Sequence, residues 1–265
     1  MVTNDADAVL LRRDGSVTEL VLNRPHHLNA IDDEVADGLL RGLDLVGEDA
    51  NCRCLVITGS GRGFCSGQAL GSSDNGDEFP QEVGALVRRR YVPLVTKIRG
   101  LSLPVVAAVN GVAAGAGFSL ALAADLRVAS EAAWFSCGFA GIGLIPDSGA
   151  SFFLPRFFGL AKALELALTA RRVDAVEAAR LGLVSHVYPA DTFSHNYSAL
   201  AHDLAQGPTR AFALTKMALS QATTNSLSQQ LELEAMLQQE ASETDDFHEG
   251  LSAFRDRRAP QFVGR

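Results

Sequence analysis

"PVVAAVNGVAAGAGFSLALAADLRVAS", residues 104–130, is the stretch that decides the fold. Pro104–Asn110 is apolar and β-branched and reads as a buried strand; "GVAAGAGFSLALAAD" then runs from a glycine-rich turn into a helix, and "LRVAS" supplies the next strand. A strand that feeds small residues at a helix start leaves backbone N–H groups without partners, at the positive end of the helix dipole. The donors here are Gly115, Ala116 and Gly117, whose small side chains let a ligand approach the backbone. The apolar run from Leu103 to Ala124 is the longest in the chain, but Asn110 and several small or polar positions interrupt it. A membrane span needs about 20 predominantly apolar residues, so none is expected.

"GSGRGFCSGQAL", residues 59–70, offers a second turn of the same kind, centred on Ser66, Gly67 and Gln68. Two such turns together can hold one developing oxyanion, and losing a single donor of this type typically costs about 3–4 kcal/mol of barrier. The residues alone leave a plainer alternative open, two tight turns with no ligand. Neither stretch matches the GxGxxG dinucleotide fingerprint or the GxxxxGK[ST] phosphate loop.

Around these turns the chain alternates strand and helix. "AVLLRR" (8–13) and "VTELVLN" (17–23) flank Asp14-Gly15 and read as a hairpin. A helix is expected from Asp32 to about Gly47, capped by Asp32 and with Val35, Leu39, Leu40, Leu43 and Val46 on one face, followed by a strand in "CLVITG" (54–59). Residues 71–80 read as loop, and 81–99 as one helix. "AWFS" (133–136) and "LVSHVY" add strands; "SGASFFLPRFFG", "LAKALELALT" and "DAVEAARLG" read as short helices ended by proline or glycine. Residues 191–256 look almost wholly helical. The expected architecture is α/β, with a core over residues 1–190 and a helical region over 191–265 that packs on the core or on a neighbouring subunit, since no linker composition separates them.

A chain of 265 residues with 47% hydrophobic and 20% charged residues can bury a substantial core and is not disordered. Its net charge of −8 argues against nucleic acid as a partner. The acidic, polar N-terminus lacks the pattern of a signal peptide, so a cytoplasmic location is expected. Cys52, Cys54, Cys65 and Cys137 show neither CxxC spacing nor a histidine cluster and read as reduced, buried thiols; no metal is expected. Core packing is favoured over a nucleophilic Cys65, because Arg62 is the one activating group nearby in sequence.

Taken together, "LNRPHHLNAI" (22–31), "ITGSGRGFCSGQAL" (57–70), residues 104–130 and "GIGLIPDSGASFFLPRFFGLAKALELALT" (141–169) resemble the signature blocks of the crotonase, or enoyl-CoA hydratase/isomerase, superfamily, in order and spacing. The tail "EGLSAFRDRRAPQF" (249–262) is similar to that family's C-terminal end. The resemblance implies a spiral of ββα turns, a C-terminal helical oligomerisation region, a homotrimer or dimer of trimers, and an acyl-CoA thioester as ligand. It implies no cofactor, coenzyme A being part of the substrate. It assigns the oxyanion donors to the backbone N–H groups of Gln68 and Ala116, and substrate or CoA contacts to His26, Ser66, Gly67, Gln68, Ala69, Leu70, Gly115 and Phe139.

Hydratases of this superfamily carry two glutamates, at positions that here are Ser119 and Phe139. Asp147, in "IGLIPDSGA" (142–150), stands where some isomerases of the superfamily carry their acid, and the stretch looks most like the ring-epoxide phenylacetyl-CoA branch. One carboxylate suffices for a proton shift along an enolate, and burial near Phe139 and Ile145 would raise its pKa. The alternative for Asp147 is the cap of a helix starting near Ser148. The expected activity is double-bond isomerisation, with hydration in fatty-acid or aromatic-acid degradation as the rival and a non-catalytic acyl-CoA-binding oligomer as a rival of another class. His26 and His27 fall in the family's CoA-binding segment. Arg88–Arg90 reads as a solvated face rather than a phosphate site, while Arg257 and Arg258 are open to either.

Overall fold

The computed structural model describes residues 7–70 and 82–265; the loop expected at 71–80 lies outside them. Strands β1 (Val9–Asp14) and β2 (Val17–Leu22) form the antiparallel hairpin, closed at Asp14 opposite Val17 with Gly15 at positive φ. Helix α1 (Asp33–Glu48) begins where the Asp32 carboxylate accepts the Val35 N–H at 2.8 Å, and it buries Val35, Leu39, Leu43 and Val46. The chain then enters β3 (Cys54–Gly59) and the short β4 (Gly63–Cys65).

The helix expected over 81–99 is instead α2 (Val83–Leu86), a wide π turn over Val87–Tyr91, and α3 (Val92–Gly100). The Val92 N–H reaches back five residues to the Val87 carbonyl, and the widened turn brings consecutive residues closer on one face. Arg90 and Tyr91 both point inward as a result, with 5% and 4% of their surface exposed. Arg90 therefore leaves the solvated arginine face expected from sequence.

Next come β5 (Val105–Val109), β6 (Val112–Ala114), α4 (Ala116–Ala123), β7 (Leu126–Ser130), β8 (Trp134–Ser136) and α5 (Ala150–Thr169). Pro155 sits inside α5, and the break comes at Gly159, the end of the helix expected over "SGASFFLPRFFG", where φ of 72° and ψ of 162° are not helical. β9 (Val173–Asp174), α6 (Ala175–Arg180), β10 (His186–Tyr188) and the helices α7 (Phe193–Ala205), α8 (Thr209–Gln221), α9 (Leu227–Ser242) and α10 (Asp245–Asp256) complete the chain.

A six-stranded sheet has the order β1-β2-β3-β5-β7-β10, parallel after the first hairpin, and a second sheet has the order β4-β6-β8-β9. Strands β3, β5 and β7 of the first sheet are each followed by a short strand of the second (β4, β6 and β8) and then by helix, which is the ββα spiral. Strands buried on both faces explain the unbroken apolar runs. Leu55 and Ile57 of β3 face the main core with α1, whereas Cys54 and Val56 meet Phe193, Tyr197 and Ala201 of α7 on the other face. No helix among the described residues is long and apolar enough to cross a membrane.

All eight residues of α4 are buried, as befits a helix that is apolar on every side. It packs so closely on β4 that a Cβ on Gly117 would lie 2.2 Å from the Cys65 carbonyl oxygen. The substitution Gly117→Ala is accordingly expected to lower stability by about 1–3 kcal/mol through overpacking. Urea unfolding checks this, and an unshifted midpoint would contradict the close approach.

Candidate active site

The short strands β4, β6 and β8 lie side by side, so the turns that follow them stack. Gly67, at φ +102°, sits where a Cβ would be 2.9 Å from the Ala114 oxygen and 3.4 Å from the Ala116 nitrogen. Gly138, at φ +66°, sits where a Cβ would be 3.3 Å from the Gly115 nitrogen. A side chain at either position would pry the stack apart. The two glycine turns singled out in the sequence are thus one structure.

Their free donors follow from the backbone pattern. Ile31 bridges the first turn by donating to the Gly67 carbonyl at 2.7 Å and accepting from the Ala69 N–H at 3.0 Å, which leaves the Gln68 N–H out of the ladder. Ala116 is the first residue of α4, so its N–H has no acceptor within the helix. Among the described residues neither N–H has a hydrogen-bond partner.

Both turns open on a cavity of about 140 Å³. It is lined by Ser66, Gly67, Gln68 and Leu70 of the first turn, Ala114, Gly115 and Ala116 of the second, Gly138, Phe139, Ile142 and Leu144 of the third, and Val83, Leu86, Val87 and Tyr91 from the helical segment. Asp147 completes the wall and is its one carboxylate among the described residues. His26 and Ala69 are not in the lining. His26 is exposed on the 25–27 turn, which adjoins the cavity through Ser66: its hydroxyl donates to the His27 carbonyl at 3.3 Å and its N–H to the Leu28 carbonyl at 3.0 Å.

The helix-cap alternative for Asp147 does not hold. The cap position of α5 is Gly149, at φ 86°, and no side chain bonds to the helix start. Ser148 and Gly149 both adopt left-handed backbone, an uncommon conformation for serine, and this turns the Asp147 carbonyl toward the Ala150 N–H at 2.9 Å. The carboxylate is left to the cavity, where the Ser148 hydroxyl donates to it at 2.8 Å. Partial burial pushes the Asp147 carboxyl above the usual carboxylate range, against the lowering effect of that hydrogen bond. Phe139 shares the cavity as expected, but Ile145 is 79% exposed and does not cover the acid.

Ser119 is fully buried in α4, and its hydroxyl lies 3.0 Å from the Asp147 carbonyl and 3.3 Å from the Gly115 carbonyl. It therefore ties the acid-bearing loop to the second glycine turn. Arg90 and Tyr91 were missed by the sequence reading: both bond to the Gln68 side chain, at 2.7 and 2.6 Å. The spacing of Val87, Tyr91, Leu94 and Ile98 could have placed Tyr91 on a buried face. Arg90 had no such signal, because the π turn brings it inward.

Elsewhere the chemistry recedes. All four cysteines are free and buried, and burial pushes the Cys65 thiol up to about 12, which removes it as a nucleophile. Arg258 forms a two-pronged pair with Glu249 at the C-terminus. No cluster of three or more metal-ligating side chains occurs among the described residues.

Residues 12–265 match the enoyl-CoA hydratase/isomerase family over almost the whole chain. The chain belongs to that family. It is 44% identical over 246 residues to a probable enoyl-CoA hydratase of Rhodobacter capsulatus, covering 93% of this chain and 94% of the relative. It is 42% identical to the 1,2-epoxyphenylacetyl-CoA isomerase of Escherichia coli, covering 97% and 98%. Among solved structures, a putative enoyl-CoA hydratase/isomerase from Mycobacterium abscessus superposes with a TM-score of 0.91 at 35% identity, covering 97% of this chain and all of that one. An enoyl-CoA hydratase from Bacillus anthracis gives 0.91 at 30% identity, with the same coverages. The crotonase fold expected from the resemblance is the fold of this enzyme.

The raised pKa of Asp147 has a consequence for stability. The folded chain holds that proton more tightly than the unfolded chain, so the ionised carboxylate opposes folding. The opposition is absent below the unfolded pKa and grows as pH rises through the folded one. Asp147→Asn keeps the shape and an acceptor for Ser148, so its melting temperature at pH 7 is expected to equal or exceed the parent's, with the gap closing in acid. A clear drop at pH 7 would mean that the carboxylate is a structural element.

Proposed function

We propose that this enzyme moves a double bond within an acyl-CoA thioester by proton transfer through an enolate. The observation that carries the proposal is that, among the described residues, Asp147 is the one carboxylate of the cavity wall and shares it with two backbone donors that have no partner. The thioester carbonyl accepts from the Gln68 and Ala116 N–H groups, which stabilise the negative charge that develops as a neighbouring C–H bond breaks. Asp147 takes that proton and returns it to another carbon of the conjugated system, so that substrate and product are isomers. No electrons leave the system, and the step calls on no redox cofactor or metal.

Two features favour isomerisation over hydration. Ser119 and Phe139 stand where the hydratases carry their glutamates, and neither replaces a carboxylate: Ser119 is spent on the Asp147 carbonyl, and Phe139 cannot move a proton. The apolar walls around Asp147 keep it a stronger base than a solvated carboxylate. Ser66, Gly67, Leu70, Gly115 and Phe139 line the acyl site. His26 and Ala69, on segments beside it, are assigned to the CoA portion. Residues 1–190 supply this site, and 191–265 the helical region.

The same proposal places a homotrimer or dimer of trimers in solution. Leu160, Leu164 and Leu168 form an exposed stripe at four-residue spacing on α5, and α9 has no buried residue while exposing Leu227, Leu231 and Met236. Apolar stripes of this kind ordinarily meet another surface. Sedimentation is expected to show an assembly larger than 28.1 kDa at micromolar concentration; a monomer alone would refute it.

The decisive assay offers 2-enoyl, 3-enoyl and aryl-acetyl-derived CoA thioesters in deuterated water. Isomerisation gives a product of altered double-bond position that has exchanged deuterium but gained no water. Gain of the mass of water would establish the hydratase, and binding without exchange a binding protein. Asp147→Asn is expected to lower kcat by about 10²–10⁴-fold. The acid limb of the parent's pH profile should lie above the usual carboxylate range, activity rising as Asp147 ionises.

A further inference from the structure

We propose that Arg90 and Tyr91 are positioning residues for the oxyanion donor of Gln68, acting through the Gln68 side-chain amide. The inference rests on Gln68 N–H being such a donor, as proposed above. The Gln68 Oε1 accepts two hydrogen bonds at once, from Arg90 Nη1 at 2.7 Å and from the Tyr91 hydroxyl at 2.6 Å. Its Nε2 donates to the Ala69 carbonyl at 3.1 Å. Arginine only donates, so the orientation of the amide is fixed by its partners.

The two donors are themselves held. Arg90 Nη1 also donates to the Ile31 carbonyl at 3.3 Å, and its Nη2 pairs with Asp33. Ile31 is the residue that grips the backbone on both sides of Gln68, through the Gly67 carbonyl and the Ala69 N–H. Arg90 thus bonds both members of the one backbone bridge that carries the donor, Ile31 by its carbonyl and Gln68 by its side chain. With Gly67 O, Ala69 N–H and the side-chain amide all fixed, the Gln68 N–H is the group left over, and its direction is determined by its neighbours.

Burial makes a merely structural account of Arg90 poor. A guanidinium with 5% of its surface exposed carries a desolvation cost, and its Nε finds no partner among the described residues. An apolar side chain would fill the same space without either penalty. The fork geometry is what an apolar residue lacks: one nitrogen reaches Gln68 and Ile31 while the other reaches Asp33.

The test uses the full-length protein with cinnamoyl-CoA, whose absorption moves to the red when its carbonyl is polarised by hydrogen-bond donors. The parent should show the red shift. Tyr91→Phe and Gln68→Met, which keep side-chain volume, should each lose part of it and lower kcat by about 10- to 100-fold, because small misplacements of an oxyanion donor are costly. KM and the affinity for the thioester should change little. Arg90→Met should behave alike, and Arg90→Lys, which keeps the charge but a single donor nitrogen, should recover part of the shift. If Arg90→Met does not fold, Tyr91→Phe and Gln68→Met carry the test alone. Parental red shift and kcat in folded Tyr91→Phe and Gln68→Met would overturn the positioning role and leave the oxyanion assignment standing. No red shift in the parent itself would overturn both.

Discussion

Backbone lies directly against backbone where the turns after β4, β6 and β8 stack, and the rest of the site depends on that contact. Gly67 meets the Ala114 carbonyl and the Ala116 nitrogen, Gly138 meets the Gly115 nitrogen, and Gly117 meets the Cys65 carbonyl, each at a distance that a Cβ would occupy. Ordinary helix–sheet packing is mediated by side chains and tolerates adjustment of a few tenths of an ångström. Here there are no side chains to adjust. The strand order of the second sheet itself brings the turns that carry the Gln68 and Ala116 N–H groups together.

For the proposed reaction, that rigidity organises groups that are weak one by one. A backbone N–H is a neutral donor, and two of them are modest ligands in water. In the proposed reaction they are held at the edge of an apolar cavity, with no competing acceptor among the described residues, and need no reorganisation when charge develops on a carbonyl oxygen. The acid is fixed to the same frame: Ser119, inside α4, holds the Asp147 carbonyl, and the left-handed pair Ser148–Gly149 aims the carboxylate away from the helix it precedes. Strain at Ser148 and the raised pKa of Asp147 both oppose folding. Both are sustained by the buried α4 and the two-sided sheet.

Most of this frame was legible in the sequence because it rests on local chemistry. The hairpin at Asp14-Gly15, the Asp32 cap and the runs 54–59 and 104–110 each follow from propensity, capping or hydrophobic pattern, and the two glycine turns follow from their composition. Strands β4, β6 and β9 were not legible: two or three residues are too few to show alternation, and β6 lies inside a stretch that reads as a turn. The break in α5 at Gly159 was legible, since the glycine that ends "SGASFFLPRFFG" tolerates the positive φ the break requires. Asp147 could be found but not interpreted from sequence. An aspartate before a helix has a local explanation as a cap, and only the left-handed residues after it, Ser148 among them, remove that explanation.

Arg90 marks the deeper limit. A run of three arginines reads as a solvated face, and for Arg88 and Arg89 the reading holds, since both are exposed. The difference is made by one wide turn, which brings Arg90 inward beside Tyr91 and against Gln68. Wide turns of this kind are rare and are found mostly as single turns inside α-helices, frequently at functional sites. Here the gain is specific: two consecutive residues, normally about 100° apart around a helix, converge on one amide oxygen. The local defect in the helix and the buried cation are therefore two parts of one arrangement, and both meet at the residue whose N–H opens on the cavity.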